Sequence, residues 1–265
     1  MTLWMAIVYG IIQGLTEFLP VSSSGHLALL PFIYEFKDPG IFFDLAMHVG
    51  TALAVGIYFH KDVLRITKNA IYFILPGKIC DDFTKNFMIA TFFTGFFALI
   101  LKPVAEAYGR NEVFIAFNLA FFGILLFISD RISKTNKNME GFRASSSIVI
   151  GLSQVLAIFP GVSRSGITIT AARFLGLSKA DASSFSFLLS LPLIFAAFML
   201  KSYNLMSKPQ GVQFELFNCA IGMLVSFFVG LATIHYFMKL IKRIQFGYFL
   251  VYRLILSALV FYLLK

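Results

Sequence analysis

The chain has 265 residues, 58% of them hydrophobic and only 13% charged, with a mean hydropathy of +0.83. A soluble domain carries about 25% charged residues, so this balance excludes an ordinary water-soluble fold and points to a membrane protein, read as one integral domain over 1–265. The net charge of +9 does not point to nucleic acid, because the basic residues scatter through loops and form no basic helix or stripe.

In chain order, the first apolar segment, near 1–36, is interrupted by Pro20, Ser22, Ser23, Ser24 and Gly25. It lacks a basic n-region, so no cleavable signal peptide is expected. Spans follow near 41–60, 87–101 and 113–129. A second interrupted segment lies near 147–178, and spans near 185–200, 214–238 and 246–264 complete the chain. The second and third spans fall short of the roughly 20 residues that cross a bilayer and are expected to extend into their flanks. Interrupted apolar segments suit re-entrant helices, whose irregular backbone lies in protein or lines a cavity. The expected fold is therefore an all-α membrane protein with six transmembrane helices and two broken re-entrant segments. The 33 phenylalanines read as lipid-facing and core filler. Cys80 and Cys219 are far apart and imply neither a disulfide nor a metal cage.

Loop charge orients the spans. The first loop holds Lys61, Arg65, Lys68, Lys78 and Lys85, and the second only Lys102 and Arg110. The third holds Arg131, Lys134, Lys137 and Arg143, the fourth Lys201 and Lys208, and the fifth Lys239, Lys242 and Arg243. Basic residues favour the cytoplasmic side, so the first, third and fifth loops are placed inside. Lys37 is then expected outside and Asn136 inside. The first interrupted segment begins and ends outside, and the second begins and ends inside. Each half, about 1–146 and 147–265, is one re-entrant segment plus three spans, and the halves are inverted. Sites in such proteins lie near the midplane, where the broken helices meet.

The residues themselves repeat. Residues 10–26, "GIIQGLTEFLPVSSSGH", align without gaps to residues 151–167, "GLSQVLAIFPGVSRSGI". Eight of the seventeen positions are identical, among them Gly10/Gly151, Gln13/Gln154, Ser22/Ser163, Ser24/Ser165 and Gly25/Gly166. The departures are chemical. Glu17 faces Ile158, Ser23 faces Arg164 and His26 faces Ile167. Together the copies supply one carboxylate, one imidazole and one guanidinium.

A helix that begins after such a serine–glycine turn attracts anions at its N-terminus. Arg164 adds a fork that matches phosphate oxygens. Ser23 and His26 are candidate nucleophiles, or one is nucleophile and the other its acid/base partner. Glu17 is a base, a group orienting His26, or a cation ligand. Gln13 and Glu17, four apart on a helix, share a face and form a hard-oxygen pair suited to Mg²⁺ or Ca²⁺. Plainer readings stand beside these. Ser24 and Ser165 serve helix packing equally well. His26 reads as a hydrogen-bonded structural histidine, and Arg164 as the buried ion-pair partner of Glu17. Asp44 and His48 either support the site or sit at the interface. Arg173 and Lys179 mark a cytoplasmic edge, and His60 and His235 are interfacial.

The paired motifs "QGLTEFLPVSSSGH" and "PGVSRSG", with "FDLAMHVGT" at 43–51, resemble the undecaprenyl-diphosphate phosphatase family linked to bacitracin resistance. The resemblance covers essentially the whole chain. It implies a bacterial inner-membrane enzyme that removes the terminal phosphate of undecaprenyl diphosphate and recycles the lipid carrier for peptidoglycan. Carried over by motif, Glu17, Ser23, His26 and Arg164 become the catalytic set. Gln13, Ser22, Ser163, Ser165, Gly166 and Thr168 become substrate contacts. Many members have Glu at the position of Gln13, which leaves Glu17 as the sole acid of the motif. The expected partners are the polyprenyl lipid and the membrane, with a homodimer left open. The site is expected to open outward. Lipid phosphatases related to phosphatidic-acid phosphatase are a poorer match, because their second histidine is replaced here by Thr170 and no Arg-Pro occurs. Inverted repeats are also a transporter feature, so a carrier of an anionic polyprenyl lipid is the alternative.

Overall fold

A computed structural model of the chain describes residues 2–33, 40–75, 79–108, 111–133, 142–207 and 216–263. Lys37 and Asn136, on which the expected sidedness was framed, lie outside these residues. A bilayer offers no water to backbone N–H and C=O groups, so each segment must satisfy its own. Helices do so over most of the described residues. The first interrupted segment is α1 (Leu3–Thr16) and α2 (Ser23–Ile33). Next come α3 (Ile41–Tyr58), α4 (His60–Ile74), α5 (Asp82–Tyr108) and α6 (Glu112–Ile132). The second interrupted segment is α7 (Ala144–Val155), a 3₁₀ turn at Leu156–Ile158 and α8 (Arg164–Phe174). Then follow α9 (Lys179–Ser207), α10 (Leu216–Leu240) and α11 (Gly247–Leu263).

Among the described residues, four stretches are long and apolar enough to cross a bilayer: Asp82–Ala105, Glu112–Ile132, Lys179–Leu200 and Leu216–Leu240. α3 meets the same requirement only in company with α4, and that pair is bent by 89°. α11 has 17 residues, which at 1.5 Å per residue is about 25 Å, near the thickness of the hydrocarbon layer. Each expected span thus falls on a helix, and the two short ones extend into their flanks as α5 and α6.

The first basic loop differs from expectation. Much of it is α4, which places Lys61, Arg65 and Lys68 on an amphipathic helix turned away from α3. Val63 and Ile66 pack against the core, while Leu64 and Ile71 stay exposed. Arg65 pairs with Asp81 at 2.8 Å. Burial pushes the Asp81 carboxyl up, but two hydrogen bonds from Thr84 and the Arg65 charge outweigh it and leave the group below its ordinary value. Arg173 and Lys179, expected at a cytoplasmic edge, both reach Asp130 at the end of α6, at 3.4 and 2.9 Å.

The two halves pack across each other. α1 lies along α10, and α7 lies along α5. Matched glycines permit both approaches. A Cβ on Gly10 would stand 2.6 Å from the Gly222 carbonyl oxygen, and one on Gly151 would stand 2.5 Å from that of Ala90. Small residues at these positions let helix backbones touch where no hydrophobic force separates protein from lipid. Phenylalanines fill the centre, with Phe18 edge-on to Phe187 at 5.2 Å. Others, such as Phe92, Phe117 and Phe228, stay on the outside of the bundle.

Candidate active site

Both interrupted segments turn on the same device. Ser22 and Ser163 have φ of 76° and 73°, and they are the non-glycine residues with positive φ among those described. They are also the aligned serines of the repeat. Holding an L-residue there costs roughly 1–3 kcal/mol. The compensation is an N-cap. The Ser22 hydroxyl accepts from the Gly25 N–H at 3.3 Å, and that of Ser163 accepts from the Gly166 N–H at 3.1 Å. Their carbonyls then accept the first helical bonds, from His26 at 3.2 Å and Ile167 at 2.9 Å. Ser23 and Arg164 therefore stand at the first positions of α2 and α8.

Those two side chains meet on one carboxylate. The Ser23 hydroxyl donates to Oε2 of Glu17 at 2.6 Å. The Arg164 guanidinium takes Oε1. The Gln13 amide donates to Oε2 at 2.9 Å, and His48 Nε2 lies 3.5 Å from the same oxygen. The ion pair that was the plainer reading of Arg164 exists, and it brings the two motifs together. His48 thus stands beside the Glu17 carboxylate.

The chemistry follows from these contacts. A serine hydroxyl donating to a buried carboxylate has a candidate base in hydrogen-bond reach, the arrangement that activates a nucleophile. The free N–H groups at the starts of α2 and α8 are the positive ends of those helices. With Arg164 they make a receptor for a phosphate group. Ser165 is used differently. Its hydroxyl donates to the Leu19 carbonyl at 3.3 Å and ties the second turn to the first. Thr168, expected at the phosphate, is fully buried. Its hydroxyl donates to the Arg164 carbonyl at 2.8 Å and pairs with Ser186 at 2.5 Å, which fixes α8 to α9.

His26 faces elsewhere. Its Nδ1 lies 2.8 Å from the Ser22 carbonyl, and its Nε2 lies 2.6 Å from the hydroxyl of Tyr252 on α11. The two rings stack at 5.6 Å with 10° between their planes. Glu17 does not orient His26; Ser22 and Tyr252 do.

The neighbouring Arg253 is fully buried. Its guanidinium donates to the carbonyls of Pro20, Gly161 and Val162 in the two turns, at 3.2, 2.8 and 3.1 Å. It also reaches Leu119 and Asn118 on α6, at 2.8 and 3.1 Å. Asn118 itself donates to Pro160 at 2.9 Å. Tyr252 and Arg253 were passed over in the sequence because they sit in an apolar span. The signal was present: an arginine inside a transmembrane segment is a functional candidate by default.

Among the described residues, no three His, Cys, Asp or Glu side chains group closely enough to hold a metal ion unaided. Gln13 Oε1 is nevertheless buried with no hydrogen-bond partner, beside the Glu17 carboxylate. An amide oxygen and a carboxylate are donors that suit a hard cation, although here it is the Gln13 amide nitrogen that faces Glu17.

A multi-pass helical membrane protein with a serine, a carboxylate and an arginine gathered between two broken helices is built to work on a phosphate inside the bilayer. The chain belongs to the family described as bacitracin resistance protein BacA, whose model matches residues 6–259. It is 39% identical over 97% of each chain to the undecaprenyl-diphosphatase of Campylobacter concisus. It is 36% identical to that of Marinobacter nauticus and 40% identical to that of Alcanivorax borkumensis, with 98% of both chains covered in each case.

Proposed function

We propose that the protein hydrolyses undecaprenyl diphosphate to undecaprenyl phosphate and inorganic phosphate, and so returns the lipid carrier to peptidoglycan synthesis. The observation that carries this reading is the Ser23 hydroxyl held 2.6 Å from Glu17 while Arg164 takes the other oxygen. A carrier of the same lipid would need phosphate contacts but no serine held on a base. The names of the relatives support the hydrolase.

The terminal phosphate enters at the starts of α2 and α8, where Arg164 exchanges Glu17 for phosphate oxygens. Ser23 Oγ attacks the terminal phosphorus, and Glu17 takes the serine proton. As the Ser23–phosphorus bond forms, the bond from phosphorus to the bridging oxygen breaks. Its electron pair leaves with undecaprenyl phosphate. Water then attacks the phosphoserine and gives its proton to Nε2 of His26, three residues after Ser23 on α2, as that nitrogen exchanges the Tyr252 hydroxyl for the water. The phosphorus–Ser23 bond breaks, the Ser23 oxygen recovers its proton from Glu17, inorganic phosphate departs, and His26 releases the proton it took to solvent. Gln13 and Glu17 would hold a divalent cation, Mg²⁺ or Ca²⁺, which supplies charge neutralisation at the diphosphate.

The matched serine turns and the reciprocal packing of α1 on α10 and α7 on α5 support two inverted halves. The basic loops support an inner-membrane protein whose site opens outward, where the carrier is released as diphosphate. The deciding experiment is phosphate release from undecaprenyl diphosphate by the purified protein in detergent, with EDTA and with Mg²⁺ or Ca²⁺ restored. Release is expected, with loss in EDTA and recovery on adding the ion. No release under any condition overturns the reading.

A further inference from the structure

The His26 ring has two polar contacts, and each constrains it. A backbone carbonyl only accepts, so Nδ1, 2.8 Å from the Ser22 oxygen, carries a proton. In the neutral ring Nε2 is then the acceptor. The hydroxyl 2.6 Å away, on Tyr252, is the donor that fills it. Ring stacking at 5.6 Å and 10° fixes the imidazole plane as well.

Tyr252 is itself held by its neighbour. Arg253 is clamped by carbonyls from both motif turns and from α6. One turn further along α11, the Ser257 hydroxyl donates to the Ala116 carbonyl at 2.7 Å. α11 thus has a fixed register against both serine turns. The side chain next to that clamp is the one that meets His26. The Tyr252 ring is 44% exposed, so it is not present to fill a core.

We propose that Tyr252 is a positioning residue for His26, donating to Nε2 so that the imidazole meets the reaction in one tautomer and one plane, with Nε2 free of a proton. This rests on the hydrolytic reading given above. It assigns His26 to proton acceptance and leaves attack on phosphorus to Ser23. The polar and charged side chains that face His26 are Tyr252 and its neighbour Arg253, both on α11. Of these, Tyr252 alone makes a direct hydrogen bond to the ring among the described residues.

The test is Tyr252→Phe in the full-length protein, which keeps the stacked ring and removes only the hydroxyl. Loss of one hydrogen bond of roughly 1–1.5 kcal/mol corresponds to a fall of about tenfold in kcat, and KM should hold within about twofold. In a His26→Ala background the same change should do nothing further, because its target is gone. A second readout does not need turnover. The protein has 4 histidines, so histidine-selective ¹⁵N labelling, with His26 assigned by its loss in the alanine variant, reports each ring nitrogen. Nδ1 should carry the proton, and Nε2 should be unprotonated and should shift in Tyr252→Phe. Unchanged kcat, an equal loss in both backgrounds, or a proton on Nε2 with none on Nδ1 overturns the assignment and leaves hydrolysis standing. Absence of hydrolysis by the unaltered protein overturns the functional reading, and the ¹⁵N result then decides the Tyr252–His26 bond by itself.

Discussion

Ser23 and Arg164 occupy the same position in two copies of one turn, and they hold opposite oxygens of a single carboxylate, Glu17. The pairing joins a group that can attack phosphorus to a group that can bind phosphate. Each is carried by its own strained serine cap, at Ser22 and Ser163. Removing the attacking oxygen should therefore be far more damaging than removing any neighbouring hydroxyl. Ser23→Ala is expected to lose at least about 10³-fold in kcat, within the span that nucleophile removal produces. Ser24→Ala, whose oxygen lies 3.4 Å from Ser22 and not on Glu17, should lose less than about tenfold, the effect of one hydrogen bond. Phosphate release from the purified variants measures both. Turnover by Ser23→Ala near that of the unaltered protein removes the serine from the chemistry.

Arg164→Lys separates charge from geometry. A lysine keeps the cation but presents a point charge, whereas the guanidinium offers a planar fork to phosphate oxygens. If Arg164 stabilises charge developing on the transferring phosphoryl group, kcat should fall by roughly 10²–10³, as for other preorganised donors. Full activity in the lysine variant would sink that role. The substitution also loosens the hold on Glu17, so Ser23→Ala and Arg164→Lys should be non-additive, as groups acting as a unit are.

Much of this centre was legible in the chain. The eight identities between 10–26 and 151–167 placed Ser22 opposite Ser163, and those residues carry the matched positive φ. The three departures, Glu17, Ser23/Arg164 and His26, named the polar groups, because each copy contributes what the other lacks. Three things were not legible. Lys61, Arg65 and Lys68 were read as loop charges, although Val63, Ile66 and Ile71 beside them already had helical spacing; the orientation signal hid the amphipathic one. The partnership of His26 with Tyr252 joins residues 226 positions apart, and only the packing of α11 against the two turns creates it. Thr168 was assigned by its motif, but a threonine within a helix can bond back to the carbonyl four residues earlier, and this one does.

Arg253 should govern stability more than chemistry. Arg253→Met keeps the bulk and leaves the turn carbonyls of Pro20, Gly161 and Val162 without that donor. Each orphaned buried group costs about 1–3 kcal/mol, so the variant should be destabilised by at least about 3 kcal/mol. At this chain length that lowers Tm by roughly 6–12 °C. Arg253→Lys, which reaches fewer carbonyls with the same charge, should fall between the two. Thermal unfolding in detergent is the measurement. A methionine variant with unchanged Tm would show that the clamp contributes nothing to holding the turns.

The outward opening of the site depends on which way the helices run, and the basic loops carry that inference. α4 bears Lys61, Arg65 and Lys68 and is expected on the cytoplasmic face. α6 begins at Glu112, in a weakly basic loop, and is expected at the outer face. Both Lys68 and Glu112 are exposed. With Cys80 and Cys219 replaced, Glu112→Cys should react with a membrane-impermeant maleimide in cells stripped of the outer barrier. Lys68→Cys should stay unlabelled until the membrane is opened. Glu17, Ser23 and His26 belong to the segment expected to enter from the Glu112 side, so this pattern would put the entrance where the diphosphate lipid is released. The polyprenyl tail then stays in the bilayer while its headgroup reaches Arg164. The reverse labelling pattern would turn the whole bundle over and move the entrance to the cytoplasm, although the Ser23–Glu17–Arg164 contacts would stand.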